Sequence, residues 1–231
     1  MNHILNDVNN TYIIKIMKQF LIRFLYMVLG LYFYALGIVV TIKANIGFAP
    51  WDVLHIGISN TIGISIGTVS ILVGLILVVI VKLLGEKLGF GTLCNMLLIG
   101  IFMDFILKID IIPKIENIIL GILIMIIGLF IISLGSFFYI KSAFGAGPRD
   151  SLMVVLARKT KIPVGICRST VELLATLGGW LLGGKVWVGT VISMIGIGFC
   201  IQITFKVLKF DVTAIKHETF METFRKIRNE E

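Results

Sequence analysis

The chain contains two copies of one segment, the second beginning 98 positions after the first without a gap. When residues 25–105 are aligned with residues 123–203, 25 of the 81 positions are identical. The identities include several glycines, a proline, two lysines and an aspartate, among them Gly37 with Gly135, Pro50 with Pro148 and Asp52 with Asp150. Shared hydrophobicity alone would not align residues of these types. The two copies must therefore adopt the same series of elements.

The composition places most of this series in a membrane. Hydrophobic residues make up 58% of the chain and charged residues only 15%, whereas soluble domains average roughly half and a quarter. A water-soluble globular domain is excluded. Each copy holds three apolar stretches of about the 20 residues that cross a bilayer. We predict spans at residues 22–42, 66–82, 91–107, 117–140, 164–182 and 189–206.

Three crossings per copy determine how the copies are oriented. Because three is odd, the second copy enters the membrane from the opposite side, and direct repeats in sequence become inverted repeats in space. We predict an all-α polytopic membrane protein with six transmembrane helices, arranged as two inverted three-helix repeats in a single membrane domain. Its segments are a cytoplasmic N-terminal segment (1–19), the first repeat (20–110), the second repeat (111–208) and a cytoplasmic C-terminal tail (209–231).

A Gly-x-x-Pro-x-Asp turn follows the first span of each copy, as GFAPWD and GAGPRD. Proline suits the first position of a helix, and aspartate complements the positive helix end. An extra short helix should therefore begin here, and it is either interfacial or re-entrant. Re-entrant helices would make Pro50, Asp52, Pro148 and Asp150 border a water-filled cavity, as in transporters with broken helices. Helix capping alone also explains these residues.

The charge distribution predicts the topology. The chain has 21 Lys and Arg against 13 Asp and Glu, a net charge of +8. On a membrane protein such an excess marks the cytoplasmic loops, so we expect no nucleic acid partner. With both termini in the cytoplasm, 17 of the 21 basic residues lie on that side, the exceptions being Lys43, Lys108, Lys114 and Lys185. We therefore expect a multi-pass protein of the inner (plasma) membrane.

Further polar and small residues within the spans are candidates for function or packing. Arg168 and Glu172 stand four residues apart, where they either pair with each other or contact an ion or a substrate. Asp104 and Gln202 occupy equivalent positions in the third spans, for interhelical hydrogen bonds or a solute pathway. Glycines spaced by seven residues in the first span of each copy predict close helix packing, with a pore lining as the alternative, namely Gly30, Gly37, Gly128 and Gly135.

Motifs of enzymes and metal sites are missing from the sequence. It has no nucleophile elbow, HExxH motif or Gly-rich phosphate loop. Its three cysteines, Cys94, Cys167 and Cys200, form no CxxC or Cys/His cluster. We expect no enzymatic activity, no cofactor and no metal. The charged tail after Lys206 is either an amphipathic helix on the cytoplasmic surface or a solvated segment.

Three sets of motifs carry a resemblance to a known group of proteins. They are GFAPWD, GAGPRDSLM and the turns GEKLGFGT and GGKVWVGT. With them the chain resembles the YczE/YyaS/YitT group of bacterial integral membrane proteins, and YczE-like members most closely, over residues 25–208. The resemblance implies a multi-spanning bacterial inner-membrane protein. It assigns no catalytic or binding residues.

Three functional hypotheses fit this architecture. The first is a small-solute transporter or permease-like protein with its site between the copies, which rests on architectural analogy. The second is a non-transporting scaffold or accessory protein that recruits a partner through its basic loop. The third is a substrate-capture subunit of a larger transporter. The expected partners are the lipid bilayer, an unknown small solute and, under the alternatives, a cytoplasmic or membrane protein.

The topology can be tested by cysteine labelling. In a variant whose native cysteines are replaced, Arg158→Cys should react with a membrane-impermeant reagent only after the cells are opened, because the basic loop of the second copy is cytoplasmic. Labelling at this position from outside intact cells would contradict the inverted arrangement.

Overall fold

The computed structural model describes residues 2–212, 215 and 217–222, with side chains from residue 17 onward. Within this part the chain forms eight helices, which are α1 (Asn2–Lys43), α2 (Pro50–Ile62), α3 (Ile66–Leu83), α4 (Phe90–Ile109), α5 (Ile118–Lys141), α6 (Pro148–Thr160), α7 (Val164–Leu181) and α8 (Val188–Val207). Five of them are long and apolar enough to cross a membrane: α1 from Met17, α3, α4, α5 and α8. Helix α7 has the same length as α3 but contains Arg168 and Glu172 and falls outside this set.

The predicted helices agree with the observed ones except at the start of α1. This helix begins at Asn2 and runs for 42 residues, whereas the apolar pattern predicts a start near residue 22. The sequence from Asn2 to Leu29 contains neither glycine nor proline, the residues that most strongly end helices. The apolar pattern therefore located the membrane span, while the helix itself extends beyond it.

The two short helices begin at the prolines of the repeated turn. Pro50 and Pro148 are the first helical residues of α2 and α6, where the missing N–H of proline leaves no hydrogen bond unmade. Glycine is required three residues before each proline, since Gly47 and Gly145 have φ of 107° and 122°, values that side-chain-bearing residues rarely adopt. The repeated motif thus reverses the chain and starts a new helix in both copies.

Helices α1 and α5 pack so closely that their backbones touch. A Cβ on Gly30 would lie 2.8 Å from the carbonyl oxygen of Gly135, and one on Gly37 would lie 2.8 Å from that of Gly128. Since the partner number falls as the α1 number rises, the two helices run antiparallel. The four glycines predicted to mediate packing are therefore the residues in contact.

Contacts between the copies come in reciprocal pairs. The N–H of Gly91 donates to the carbonyl of Phe144 (2.7 Å), and the equivalent N–H of Gly189 donates to the carbonyl of Ile46 (2.6 Å). Helix α2 packs on α7, while the equivalent α6 packs on α3. Each short helix thus lies against the second long helix of the other copy. This exchange brings the first turns of α2 and α6 into the interior.

Replacing Gly37 by leucine should strongly destabilise the protein. The new side chain would overlap the backbone of α5, and overpacking in a protein interior costs about 1–3 kcal/mol. We expect a lower melting temperature in detergent. The matched control is Gly178→Leu, because a Cβ there would meet only one described atom, a side-chain carbon of Leu54, at an ordinary 3.7 Å. Equal melting temperatures for the two variants would contradict the packing role.

Candidate functional site

A cavity of about 360 Å³ lies where the two copies meet. All eight helices contribute to its lining, together with His217 of the C-terminal tail. Its walls are mixed: Ile38, Met96 and Ile197 are apolar, whereas other positions carry hydroxyl, amide and charged groups. A cavity of this size and mixed character suits a small molecule with polar groups.

The first turn of α6 supplies the charged centre of the cavity. Pro148, Arg149 and Asp150 all line it. Asp150 makes no hydrogen bond or ion pair with the described residues, and its side chain is open to the cavity. Among the residues that the structure describes, this acid of the cavity therefore has no fixed partner.

Arg168 and Glu172 form an ion pair at another wall of the cavity. The Arg168 Nε lies 2.9 Å from Glu172 Oε1, in the i, i+4 spacing expected from the sequence. Both residues line the cavity, and 46% of the Arg168 side chain is exposed. The interpretation as an ion pair is therefore confirmed, while contact of these residues with an ion or a substrate stays a prediction.

A chain of contacts connects the cavity to a buried polar pair in α2. The guanidinium of Arg149 lies 4.8 Å from the ring centre of Trp51, a cation–π contact, and its Nη2 lies 3.4 Å from His55 Nε2. His55 Nδ1 in turn lies 3.8 Å from Asp52 Oδ1, and both atoms are buried without a hydrogen-bond partner among the described residues. The repeated turns of the two copies thus meet in the interior of the protein.

The sequence candidates divide into those that line the cavity and those that do not. Pro148, Asp150, Arg168 and Glu172 line it. Pro50 and Asp52 are buried beside it. Asp104 accepts a hydrogen bond from the Gly67 N–H (2.8 Å) at the start of α3, and Gln202 is exposed on α8. Equivalent positions of the two copies therefore have different environments.

Several lining residues were not identified from the sequence. Tyr34, Ser136 and Tyr139 line the cavity, but nothing near them in the sequence distinguishes them from other polar residues in apolar helices. The Tyr139 hydroxyl donates to the carbonyl of Gly145 (2.8 Å) and so holds the turn that precedes α6.

The C-terminal tail returns to the cavity. His217 lines it, Glu218 pairs with Arg23 (2.8 Å), and the Glu218 N–H donates to the carbonyl of Ala143 (2.8 Å). Burial lowers the pKa of His217, and Asp150 opposes that shift. Two of the apolar residues that suggested an amphipathic tail helix, Phe224 and Ile227, lie outside the described residues.

Metal binding receives no support from the part of the chain that the structure describes. There, no three His, Cys, Asp or Glu residues lie close enough to hold an ion. The described cysteines, Cys94, Cys167 and Cys200, are unbridged.

Comparisons with known proteins place the chain among membrane proteins. Residues 21–206 match DUF6198, described as a family of unknown function. The chain is 33% identical to the uncharacterized membrane protein YczE of Bacillus subtilis, over 80% of this chain and 87% of that protein. It is 33% identical to an uncharacterized protein of Haemophilus influenzae, over 70% of this chain and 73% of that protein. It is 27% identical to the uncharacterized protein YyaS of Bacillus subtilis, over 74% of this chain and 87% of that protein. No solved structure matches the chain with significance.

The hydrogen bond from Tyr139 to the turn before α6 can be tested by removing its hydroxyl. Tyr139→Phe leaves the buried carbonyl of Gly145 without this donor, so unfolding should become easier by about 1–3 kcal/mol. Thermal unfolding in detergent measures the change. The matched control is Tyr32→Phe on α1, because this partly exposed hydroxyl makes no hydrogen bond to the described residues. An equal loss of stability in the two variants would contradict the conclusion that the Tyr139 hydroxyl holds the turn before α6.

Proposed function

We propose that this chain, which belongs to the DUF6198 family, is a small-solute transporter of the bacterial inner membrane. The proposal extends what the family assignment and the five apolar helices establish, which is a multi-pass membrane protein. It assigns transport to the cavity between the two copies. It also treats the protein as a carrier and not as an enzyme.

The architecture that we propose is six spans in two inverted repeats, with α7 as the sixth span. The antiparallel packing of α1 on α5 and the reciprocal contacts between the copies support it. Helix α7 corresponds to α3 in the alignment, and both helices are 18 residues long. Its two charged residues line the cavity, so neither needs to face lipid, where a charge is most costly. The short helices are then re-entrant.

The observation that carries the proposal is the carboxylate of Asp150, which lies in a solvent-accessible cavity between the copies and pairs with no described residue. A charged side chain at the centre of a membrane span costs about 2.5–3.5 kcal/mol. A scaffold gains nothing from placing charged groups around a cavity there. A transporter needs them, because they replace the water that a polar solute loses on entry.

The lining groups indicate the class of solute. Arg168 is neutralised by Glu172, and Arg149 is held by an aromatic ring and an imidazole. Asp150 has no fixed partner among the described residues. A solute can therefore find one free carboxylate and one guanidinium within the same cavity. This pattern fits a small zwitterionic or charged polar molecule better than an apolar one.

Uptake into proteoliposomes tests the proposal. Vesicles with purified protein are exposed to a mixture of amino acids, organic acids and nucleosides, and their contents are measured by mass spectrometry. The wild type should accumulate at least one solute, and Asp150→Asn should reduce that uptake by about tenfold or more, since a lost charge-assisted contact is worth about 1.5–3 kcal/mol. Glu116→Gln is the matched control, because Glu116 is exposed in the loop before α5.

The outcomes also separate the alternatives. Contents equal to those of protein-free vesicles across the mixture would contradict transport and favour the scaffold. Binding of a solute by the purified protein without its release inside the vesicles would favour a substrate-capture subunit. Equal uptake by Asp150→Asn and the wild type would remove Asp150 from the site.

A further inference from the structure

The second and third long helices of each copy are packed differently in the two copies. In the first copy, α3 packs along the length of α4. In the second copy, the equivalent α7 has no comparable contact with α8 and packs instead on α2. The cavity extends into the gap, because Arg168 and Glu172 of α7 and Ile197 and Ile201 of α8 all line it. One helix pair is therefore closed and its counterpart is open.

The closed pair is held by two glycines and a carboxylate. A Cβ on Gly100 would lie 2.5 Å from the carbonyl oxygen of Gly67, so only glycine permits this approach. Asp104 accepts hydrogen bonds from the N–H of Gly67 (2.8 Å) and from the hydroxyl of Ser65. It thereby caps the start of α3 from α4 and seals that end of the pair.

The open pair has the same glycines without the contact that would require them. Gly165 and Gly198 are equivalent to Gly67 and Gly100, yet no described heavy atom lies within 4 Å of a Cβ built on either. Glycine is among the least favourable residues inside a helix, and Gly198 lies in the middle of α8. Gln202, equivalent to Asp104, is exposed. The packing in this structure therefore gives no reason for glycine at positions 165 and 198 or for glutamine at position 202.

We propose that Gly165, Gly198 and Gln202 form a second gate, which closes in another state of the protein. In that state α7 would pack on α8 as α3 now packs on α4, and the amide oxygen of Gln202 would accept from the N–H of Gly165. The first gate, formed by Gly67, Gly100 and Asp104, would open at the same time. The inference rests on the proposed transport and describes the two states that it needs.

Two equivalent side chains report which gate is open. Ile201 lines the cavity, whereas its counterpart Met103 is fully buried (0% exposed) in the closed pair. Exchange of the gates should exchange these environments. A cysteine at 201 should then react with a soluble thiol reagent from the cytoplasmic side in the present state, and a cysteine at 103 should react from outside in the other state.

The experiment combines these reporters with alanine at one gate glycine. The three native cysteines are replaced, and Ile201→Cys or Met103→Cys is introduced separately. Gly198→Ala has room in the present state and would block closure of the second gate, whereas Gly100→Ala would disturb the closed first gate. Gly178→Ala is the matched control, because it also removes a helical glycine, and its Cβ would meet one side-chain atom at an ordinary 3.7 Å.

Opposite shifts are expected from the two gate variants. Relative to Gly178→Ala, Gly198→Ala should raise the ratio of labelling at 201 to labelling at 103 by about tenfold, and Gly100→Ala should lower it by a similar factor. If Gly100→Ala fails to fold, Asp104→Ala replaces it. Asp104→Asn, which keeps an oxygen acceptor, then serves as its control.

Other outcomes overturn the inference. Unchanged ratios in both variants, or shifts in the same direction, would mean that Gly165 and Gly198 are not a gate. The labelling needs no solute, so its result is separate from that of the uptake assay. Uptake without gate-dependent labelling would leave transport standing and reject this gate. Gate-dependent labelling without uptake would support this gate and reject transport.

Discussion

The backbone contact between α1 and α5 is the interaction on which the other packing depends. These helices are the first elements of the two copies, and their glycines let them approach until carbonyl oxygens lie where side chains would otherwise stand. Among lipid tails there is little hydrophobic drive for helices to associate, so such close van der Waals packing takes its place. With this pair aligned antiparallel, several other contacts between the copies occur in reciprocal form, such as those of the Gly91 and Gly189 N–H groups.

The repeated turn converts this alignment into a polar interior. Each turn reverses the chain at a glycine with positive φ and starts a short helix at a proline. Because each short helix packs on the other copy, the two turns meet, with Arg149 of one over Trp51 of the other. Charged groups thereby reach the interior of the protein. The fold can hold an unpaired acid such as Asp150 because solvent reaches it through the cavity.

The two copies share a sequence pattern but not one packing arrangement. Asp104 is a helix cap while Gln202 is exposed, and Gly100 is tightly packed while Gly198 stands open. Packed interfaces change between discrete arrangements and do not deform continuously. The two copies have different arrangements of the same helix pair. Comparing them therefore indicates which contacts between the second and third long helices form in one arrangement and are absent in the other. The contrast is clearest at the glycines, which are packed in the first copy and open in the second.

The sequence alone determined the elements. The repeat, the apolar stretches and the two prolines located the helices, because helix formation and membrane insertion depend on neighbouring residues. It also identified Asp150, Arg168 and Glu172, since charges in apolar segments are rare. Only the tertiary structure decided which polar residues share the cavity. Tyr34, Tyr139 and His217 meet there across more than 180 positions of the chain, and Asp104 and Gln202 have equivalent sequence positions but different surroundings. Such differences come from how helices distant in sequence pack on one another, which no local pattern contains.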